Sequence, residues 1–284
     1  MKDDLGDRMK KYEYITRTHL MPRTPVIIRL DGKAFHTFTR GFHKPFDDVL
    51  IKSMQETMLY LCENIQGCVL GYTQSDEITL VLVDYKKLDS SSWFDYNIQK
   101  CVSVASSMAT LVFNKSFDRN IIEYFCDVMN DKNRIEDTVE FEYMGTLVDA
   151  KHKGAMFDAR VFNIPKEEVT NCLLWRQNDA VRNSIQMVGQ VNFTHRELQN
   201  KSCNDIQNML LTERDINWND YATKYKRGSC CIKVQADGEI RPKWIIDNEI
   251  PIFKGDGRAY VDNLVYIGEQ TNELQKETTG EAEA

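Results

Sequence analysis

The stretch "GYTQSDEITLVLV", residues 71–83, sets the frame for reading the rest of the chain. Two apolar, β-rich halves flank the polar step Gln74-Ser75-Asp76-Glu77, a pattern of two strands joined by a tight turn. Adjacent carboxylates at such a turn are either its solvated tip or part of a metal site. The neighbouring segments decide between the two.

Upstream, "TPVIIRLDG" (24–32) is a β-branched run closed by Asp-Gly, a strand ending in a turn. Between it and the hairpin, "KPFDDVLIKSMQETMLYLCENI" (44–65) sets Leu50, Met54, Met58, Leu61 and Ile65 at helical spacing, with Pro45 ahead of the helix. After the hairpin, the loop "DYKKLDSSS" (84–92) offers a serine N-cap before Trp93, and Ile98, Cys101, Val104, Ala105, Met108, Leu111 and Val112 repeat the helical period. A further apolar segment, "FDARVFNIP" (157–165), ends at Pro165. The order β-α-β-β-α-β predicts an α+β protein with a ferredoxin-like core, its first and third strands adjacent at the sheet centre.

A single catalytic domain is expected over 1–268, with its core at about 24–165. The charged, weakly patterned stretch at about 115–156 reads as an insertion, in part helix or strand. Beyond Pro165 the chain continues with a long helical pattern rich in Arg, Gln and Asn (166–193). A C-terminal β-hairpin follows (229–253), its turn near Ala236-Asp237-Gly238. Residues 269–284 read as an acidic, disordered tail.

The net charge of −7 is concentrated in that tail, which holds five glutamates and one lysine, so the body can carry a basic groove and RNA is not excluded. The charged N-terminus lacks a signal-peptide core and no apolar run reaches membrane-spanning length, so a cytoplasmic protein with no membrane partner is expected. The eight cysteines form no C-x-x-C pair or zinc quartet, and the five histidines no H-E-x-x-H, which argues against zinc chemistry. The absence of G-x-x-x-x-G-K-[ST] excludes a P-loop NTPase.

In the expected topology Asp31 leaves the end of the first strand beside the hairpin that carries Asp76 and Glu77, so the three carboxylates can converge. Such oxygen donors suit two Mg2+ ions clamping a phosphoryl transfer. Either motif alone also reads as an ordinary turn. The backbone from Gly32 through Lys33, Ala34, Phe35 and His36 can form a nest for a triphosphate, with Arg40 and Lys44 adding charge.

"RLDGKAFHTF", "HKPFDD", "GYTQSDE", "FDARVF", "WRQNDAVRN" and "YKRG" resemble, in order and spacing, the motifs of the tRNA-His guanylyltransferase family. The resemblance implies a polymerase-palm core extending RNA in the 3′-to-5′ direction. It implies Asp31 and Asp76 as carboxylate metal ligands, Gly32 as a carbonyl ligand, Glu77 as an essential acid and Ser75 near the nucleotide. It further implies Lys44 and Asp47 at the incoming nucleotide, Lys100 in 5′ activation, and Asn217, Lys226 and Arg227 near nucleotide and RNA. Arg176, Arg182 and Asn183 read as contacts to RNA or a second nucleotide, the alternative being a packed helix whose Arg176 and Arg182 make structural ion pairs. A homotetramer is also implied.

Where the eukaryotic tRNA-His enzymes carry a motif histidine, this chain has Val181. The pattern resembles the bacterial and archaeal guanylyltransferase-like branch, which implies template-directed repair of truncated tRNA 5′ ends. On that reading ATP activates a 5′-monophosphate and the 3′-hydroxyl of GTP or another NTP attacks it. Alternatives are addition of a single guanylate to tRNA-His, a palm-type nucleotide cyclase, and a catalytically silent RNA-binding module.

Overall fold

The computed structural model describes residues 3–131, 134, 137–235 and 241–267; the expected turn at Ala236-Asp237-Gly238 and the tail at 269–284 lie outside them. The chain opens with helix α1 (Asp4–Ile15), capped by the Asp3 side chain, which accepts from the Gly6 N–H at 2.9 Å. Strand β1 (Val26–Gly32) leads into the single turn α2 (Phe35–Phe38) and then α3 (Asp48–Asn64). Of the predicted inner face of α3, Met54, Met58, Leu61 and Ile65 are buried and Leu50 is half-buried.

Strands β2 (Cys68–Gln74) and β3 (Glu77–Leu82) form the hairpin expected from 71–83, with Ser75 at a φ of 49° in the tight connection. The serine N-cap expected before Trp93 is not formed. Ser92 precedes only a 3-10 turn (Trp93–Tyr96) and makes no capping bond. Asn97 caps α4 (Ile98–Asn130) instead, accepting from the Lys100 N–H at 3.0 Å.

Among the described residues, the stretch at 115–156 holds two helical segments and no strand. α4 runs on to Asn130 because Ser116, Phe117, Asn120, Ile121 and Val128 keep its inner face buried. α5 (Thr138–Lys153) packs beside it through Tyr143, Met144, Leu147 and Ala150. Then follow β4 (Phe157–Asn163), α6 (Lys166–Asn192), α7 (His195–Leu198), α8 (Cys203–Arg214) and α9 (Thr223–Arg227). The described chain ends with β5 (Ser229–Val234), β6 (Lys243–Asp247) and α10 (Ala259–Val265).

Among the described residues, six strands form one sheet in the order β4-β1-β3-β2-β5-β6, every neighbouring pair antiparallel. The first and third strands are adjacent, as the sequence predicts. The C-terminal hairpin does not stand apart, because β5 pairs with β2 and extends the same sheet.

Alternation along the strands builds two cores. Ile28, Leu30, Ile78 and Leu80 face Met54, Met58, Phe113 and Phe117 of α3 and α4. Ile27, Tyr72 and Val81 face Val169 and Leu173 of α6 and Val261 of α10. A third cluster joins α6 to α8 through Ile185, Val188, Ile206 and Leu210. The result is a mixed fold of helices on an antiparallel sheet. Among the described residues no helix is long and apolar enough to cross a membrane.

α3 rides close on β2 at Gly71, where an added Cβ would lie 2.5 Å from Cys62 Sγ and 2.8 Å from Met58 Cγ. Gly71→Ala is expected to cost about 2 kcal/mol of stability by overpacking. Urea unfolding measures it, and an unchanged midpoint would show that this contact yields freely.

Candidate active site

The last rung between β1 and β3 sets Asp31 opposite Glu77, and Asp76 occupies the adjoining turn. The Gly32 N–H donates to the Asp76 carbonyl at 3.1 Å, and the Lys33 N–H to the Met156 carbonyl at 2.8 Å. The strand end is thus pinned on both sides. A Cβ at Gly32 would meet the Phe35 ring at 2.2 Å, so only glycine lets the chain fold back over that ring into α2. Phe35 is held by Phe38, Phe113 and Phe157, with ring centroids 5.0, 5.6 and 5.3 Å away.

These elements enclose a cavity of about 770 Å³. Asp31, Gly32, Ser75 and Asp76 form one wall, and the loop over Ala34, Phe35, His36, Arg40, Lys44 and Asp47 forms another. With the Gly32 and Lys33 N–H groups engaged by backbone carbonyls, the expected phosphate nest shrinks to Ala34, Phe35 and His36. Lys33 does not line the cavity.

The three expected carboxylates separate into a pair and a single. Asp31 and Asp76 reach the cavity. Glu77 is buried, accepts from Arg176 Nε at 2.7 Å, and does not line it. Among the described residues no group of three or more His, Cys, Asp or Glu is arranged to hold a metal ion. Burial pushes the Asp76 carboxyl above its usual range, and the Asp31 charge adds to this against the hydrogen bonds from the Asp76 backbone and the Ser75 hydroxyl. Burial also raises Glu77, with Arg176 opposing.

Several expected site residues carry structure here. Asp47 caps α3, accepting from the Leu50 N–H at 2.9 Å through one oxygen. Its other oxygen accepts from the His43 N–H at 3.1 Å and the Tyr143 hydroxyl at 2.6 Å. Asp47 therefore shapes the loop as well as lining the cavity. Lys100 does not join the cavity within one chain: it lies about 20 Å along α4 from Phe113, which backs the site. Its ammonium sits over the Phe94 ring at 5.7 Å.

Arg176 is buried between Glu77 and Asp179, at 2.7 and 2.9 Å, and Arg182 pairs with the same Asp179. Asn183 lines two smaller cavities beside Ser75. Asn217 caps the 3-10 turn Trp218–Asp220, Lys226 bonds to the Asn219 carbonyl, and Arg227 Nε reaches the Ile250 carbonyl at 3.3 Å. None of these three lines the large cavity. Tyr143 of α5 was not legible as a site residue. It stacks on His43 with ring centroids 3.5 Å apart, and only its place on a helical stripe marked it.

The model of the tRNA-His guanylyltransferase family matches residues 6–165. The chain belongs to that family. It is accordingly a nucleotidyltransferase of the tRNA guanylyltransferase type, and 3′-to-5′ addition is consistent with this membership. The chain is 30% identical over 240 residues to an uncharacterized protein of Acanthamoeba polyphaga mimivirus, covering 80% of this chain and 76% of that one. It is 26% identical to the tRNA(His) guanylyltransferase of Saccharomyces cerevisiae, covering 86% and 98%. Among solved structures, a bacterial tRNA(His) guanylyltransferase-like protein in complex with ATP is 42% identical, with a TM-score of 0.76 over 93% of this chain and all of that one. A complex of such a protein with GTP is 39% identical, with a TM-score of 0.73 over 93% of this chain and 100% of that one.

The raised Asp76 carboxyl gives a stability prediction. Its proton is held more tightly folded than unfolded, so stability falls as pH rises from the unfolded carboxylate range through the folded value, and the penalty is complete at neutral pH. Asp76→Asn in metal-free buffer should therefore raise Tm at neutral pH, with the gain vanishing below about pH 4. Thermal unfolding at both pH values checks it, and a lower neutral-pH Tm for the variant would contradict it.

Proposed function

We propose that this chain adds nucleotides in the 3′-to-5′ direction to the 5′ end of tRNA, copying the opposing strand to repair truncated ends. The observation that carries the reading is the convergence of Asp31 and Asp76 on one cavity with the loop bearing Arg40 and Lys44. The strand order β4-β1-β3-β2 supports a ferredoxin-like, palm-type core. Template-directed repair, rather than a single guanylate added to tRNA-His, is favoured by Val181, which packs on the apolar α6–α8 cluster where the eukaryotic motif has histidine. The greater identity to the bacterial guanylyltransferase-like structures than to the yeast enzyme points the same way.

Asp31, Asp76 and the Gly32 carbonyl offer only hard oxygen donors, and Asp76 has no ion-pair partner among the described residues, which fits Mg2+. Bound there, two such ions would neutralise phosphate charge and favour ionisation of the attacking hydroxyl. The chain's own part is positioning. Arg40 and Lys44 hold the triphosphate, Ala34 to His36 offer backbone donors, and the aromatic cluster behind Phe35 keeps the loop in place. A 5′-monophosphate is first joined to the α-phosphate of ATP, releasing pyrophosphate. The 3′-hydroxyl of the incoming NTP then bonds to the activated 5′ phosphorus as AMP departs. A 5′-triphosphate end releases pyrophosphate directly.

A homotetramer is part of the proposal. α1 has no buried residue in the isolated chain and exposes Leu5, Met9 and Tyr12 on its surface. A cytoplasmic setting agrees with the free cysteines of the described residues.

The direct test follows a 5′-truncated, 5′-monophosphorylated tRNA with Mg2+, ATP and all four NTPs on a gel. Growth by nucleotides complementary to the opposing strand supports the proposal, whereas cyclic nucleotide without RNA extension would indicate a cyclase. Asp76→Ala should lower addition by about three orders of magnitude with RNA binding retained. More than a tenth of wild-type activity would remove Asp76 from the chemistry. Lys44→Ala should raise KM for the triphosphate by about tenfold, the loss of one charge-assisted contact. An unchanged KM would take Lys44 out of the nucleotide site.

A further inference from the structure

A second cavity, of about 350 Å³, opens on the other side of the carboxylate pair. Its lining includes Arg29, Trp175, Arg176 and Asn183, and it shares Asp31, Ser75 and Asp76 with the large cavity. The two spaces meet at the carboxylates. We propose that this second cavity receives the 5′-terminal nucleotides of the RNA strand, with Trp175 as a stacking platform and Arg29 as the phosphate contact in its lining, backed by Arg160 opposite it on β4 at the cavity's edge. The inference rests on the nucleotide-addition reading above and assigns the other substrate its place.

Trp175 leaves 55% of its surface exposed although it belongs to a well-packed helix. Its neighbours on the inner stripe of α6, Val169, Leu173, Gln177 and Ala180, are buried, so Trp175 lies off the packing face. Two guanidinium groups hold the ring in place, Arg176 at 4.4 Å and Arg29 at 5.6 Å from its centroid. A large ring kept exposed and fixed beside cationic groups is the arrangement that binds unpaired bases, and such stacking tolerates any base. A repair enzyme must accept whichever base ends the strand.

The arginines around the cavity differ in what they have left to give. Arg176 is committed to Glu77 and Asp179, and Arg182 to Asp179. Arg29 Nε is buried and has no hydrogen-bond partner among the described residues, an orphaned donor that folding alone does not explain. Arg29 also sits directly opposite Arg160 across β1 and β4, a like-charged pair that opposes sheet formation. Arg160 meets its acids only loosely, at 3.9 Å from Asp31 and 3.7 Å from Asp158. A phosphate beside these two arginines would supply the missing acceptors and relieve the repulsion.

The placement also suits the chemistry. Attacking and leaving oxygens must lie roughly in line across the phosphorus, so the two substrates approach the carboxylates from different sides. With the triphosphate in the larger cavity, the smaller one is left for the RNA end. A second free NTP offers the same phosphate-and-base chemistry, and the kinetics separate the two.

The test measures addition to a 5′-monophosphorylated, 5′-truncated tRNA by wild type, Trp175→Ala and Trp175→Phe. Trp175→Ala should raise KM for the tRNA by about tenfold or more with KM for the NTP unchanged, and Trp175→Phe should recover most of the loss. An unchanged KM for tRNA would overturn the proposal; a rise confined to KM for the NTP would overturn it in favour of a second nucleotide site. Tryptophan fluorescence is then titrated with a 5′-phosphorylated single-stranded oligoribonucleotide, using Trp175→Phe as the reference. Quenching lost in that variant is expected, and equal quenching in both proteins would overturn the assignment. If the wild type adds no nucleotides while the quenching difference persists, the reaction reading fails and the RNA groove stands.

Discussion

The pairing of β1 with β3 is the constraint on which the site depends. Its register runs from Val26 opposite Leu82 to Asp31 opposite Glu77, and the Gly32 to Asp76 backbone bond closes the end. A slip of one residue would turn Asp31 toward the apolar face under α3 and α4 and bring Leu30 out in its place. The alternating sets Ile28, Leu30 and Ile27, Arg29, Asp31 hold the register from both sides of the sheet. Core packing and carboxylate placement are therefore one specification.

The carboxylates at this strand end are treated unequally. Glu77 receives a guanidinium from a helix far along the chain, and the pair is enclosed between sheet and α6. Asp31 has only a long contact to Arg160, and Asp76 lies half-buried next to it with a raised carboxyl. Leaving that charge uncompensated destabilises the fold, which natural sequences tolerate where function demands it. The Glu77–Arg176 pair does structural work alongside, since it holds α6 and thereby Trp175 at a fixed distance from Asp31.

The sequence made the local parts of this arrangement legible. The hairpin, the α3 stripe and the Asp31 and Asp76 positions were visible because each is written in contiguous residues or in a simple period. What escaped depends on distant partners. Charged residues on the outer face of α4 hid its continuation to Asn130, so the helical part of this stretch was not delimited. Asp47, placed at the nucleotide by the resemblance, does line the cavity, but nothing in its neighbourhood announces its bond from the Tyr143 hydroxyl. Lys100 lies on α4 as expected, but at the end remote from the cavity of its own chain. β5 was readable as a strand, yet only its edge contact with β2 shows that it extends the central sheet.

The two cavities beside Asp31 have walls of different character, and this bears on how a polymerising site works. Behind the loop of the larger one, Phe35, Phe38, Phe42, Phe113 and Phe117 interlock with ring centroids 5.0–5.9 Å apart, and Tyr143 ties α5 to the same loop. Such packing allows few alternative arrangements, so on the proposed reading the phosphate-binding groups are preorganised there rather than assembled on binding. The smaller cavity is walled by side chains that meet through charge and ring-face contacts. Each NTP arrives with the same triphosphate, which a rigid wall can match once for all four bases. On the proposed reading, a strand end that changes its terminal base with every addition is better met by the exposed Trp175 ring and by Arg29, whose Nε has no hydrogen-bond partner among the described residues. On the proposed assignment, the division between fixed and adaptable walls matches which part of each substrate stays constant through the reaction.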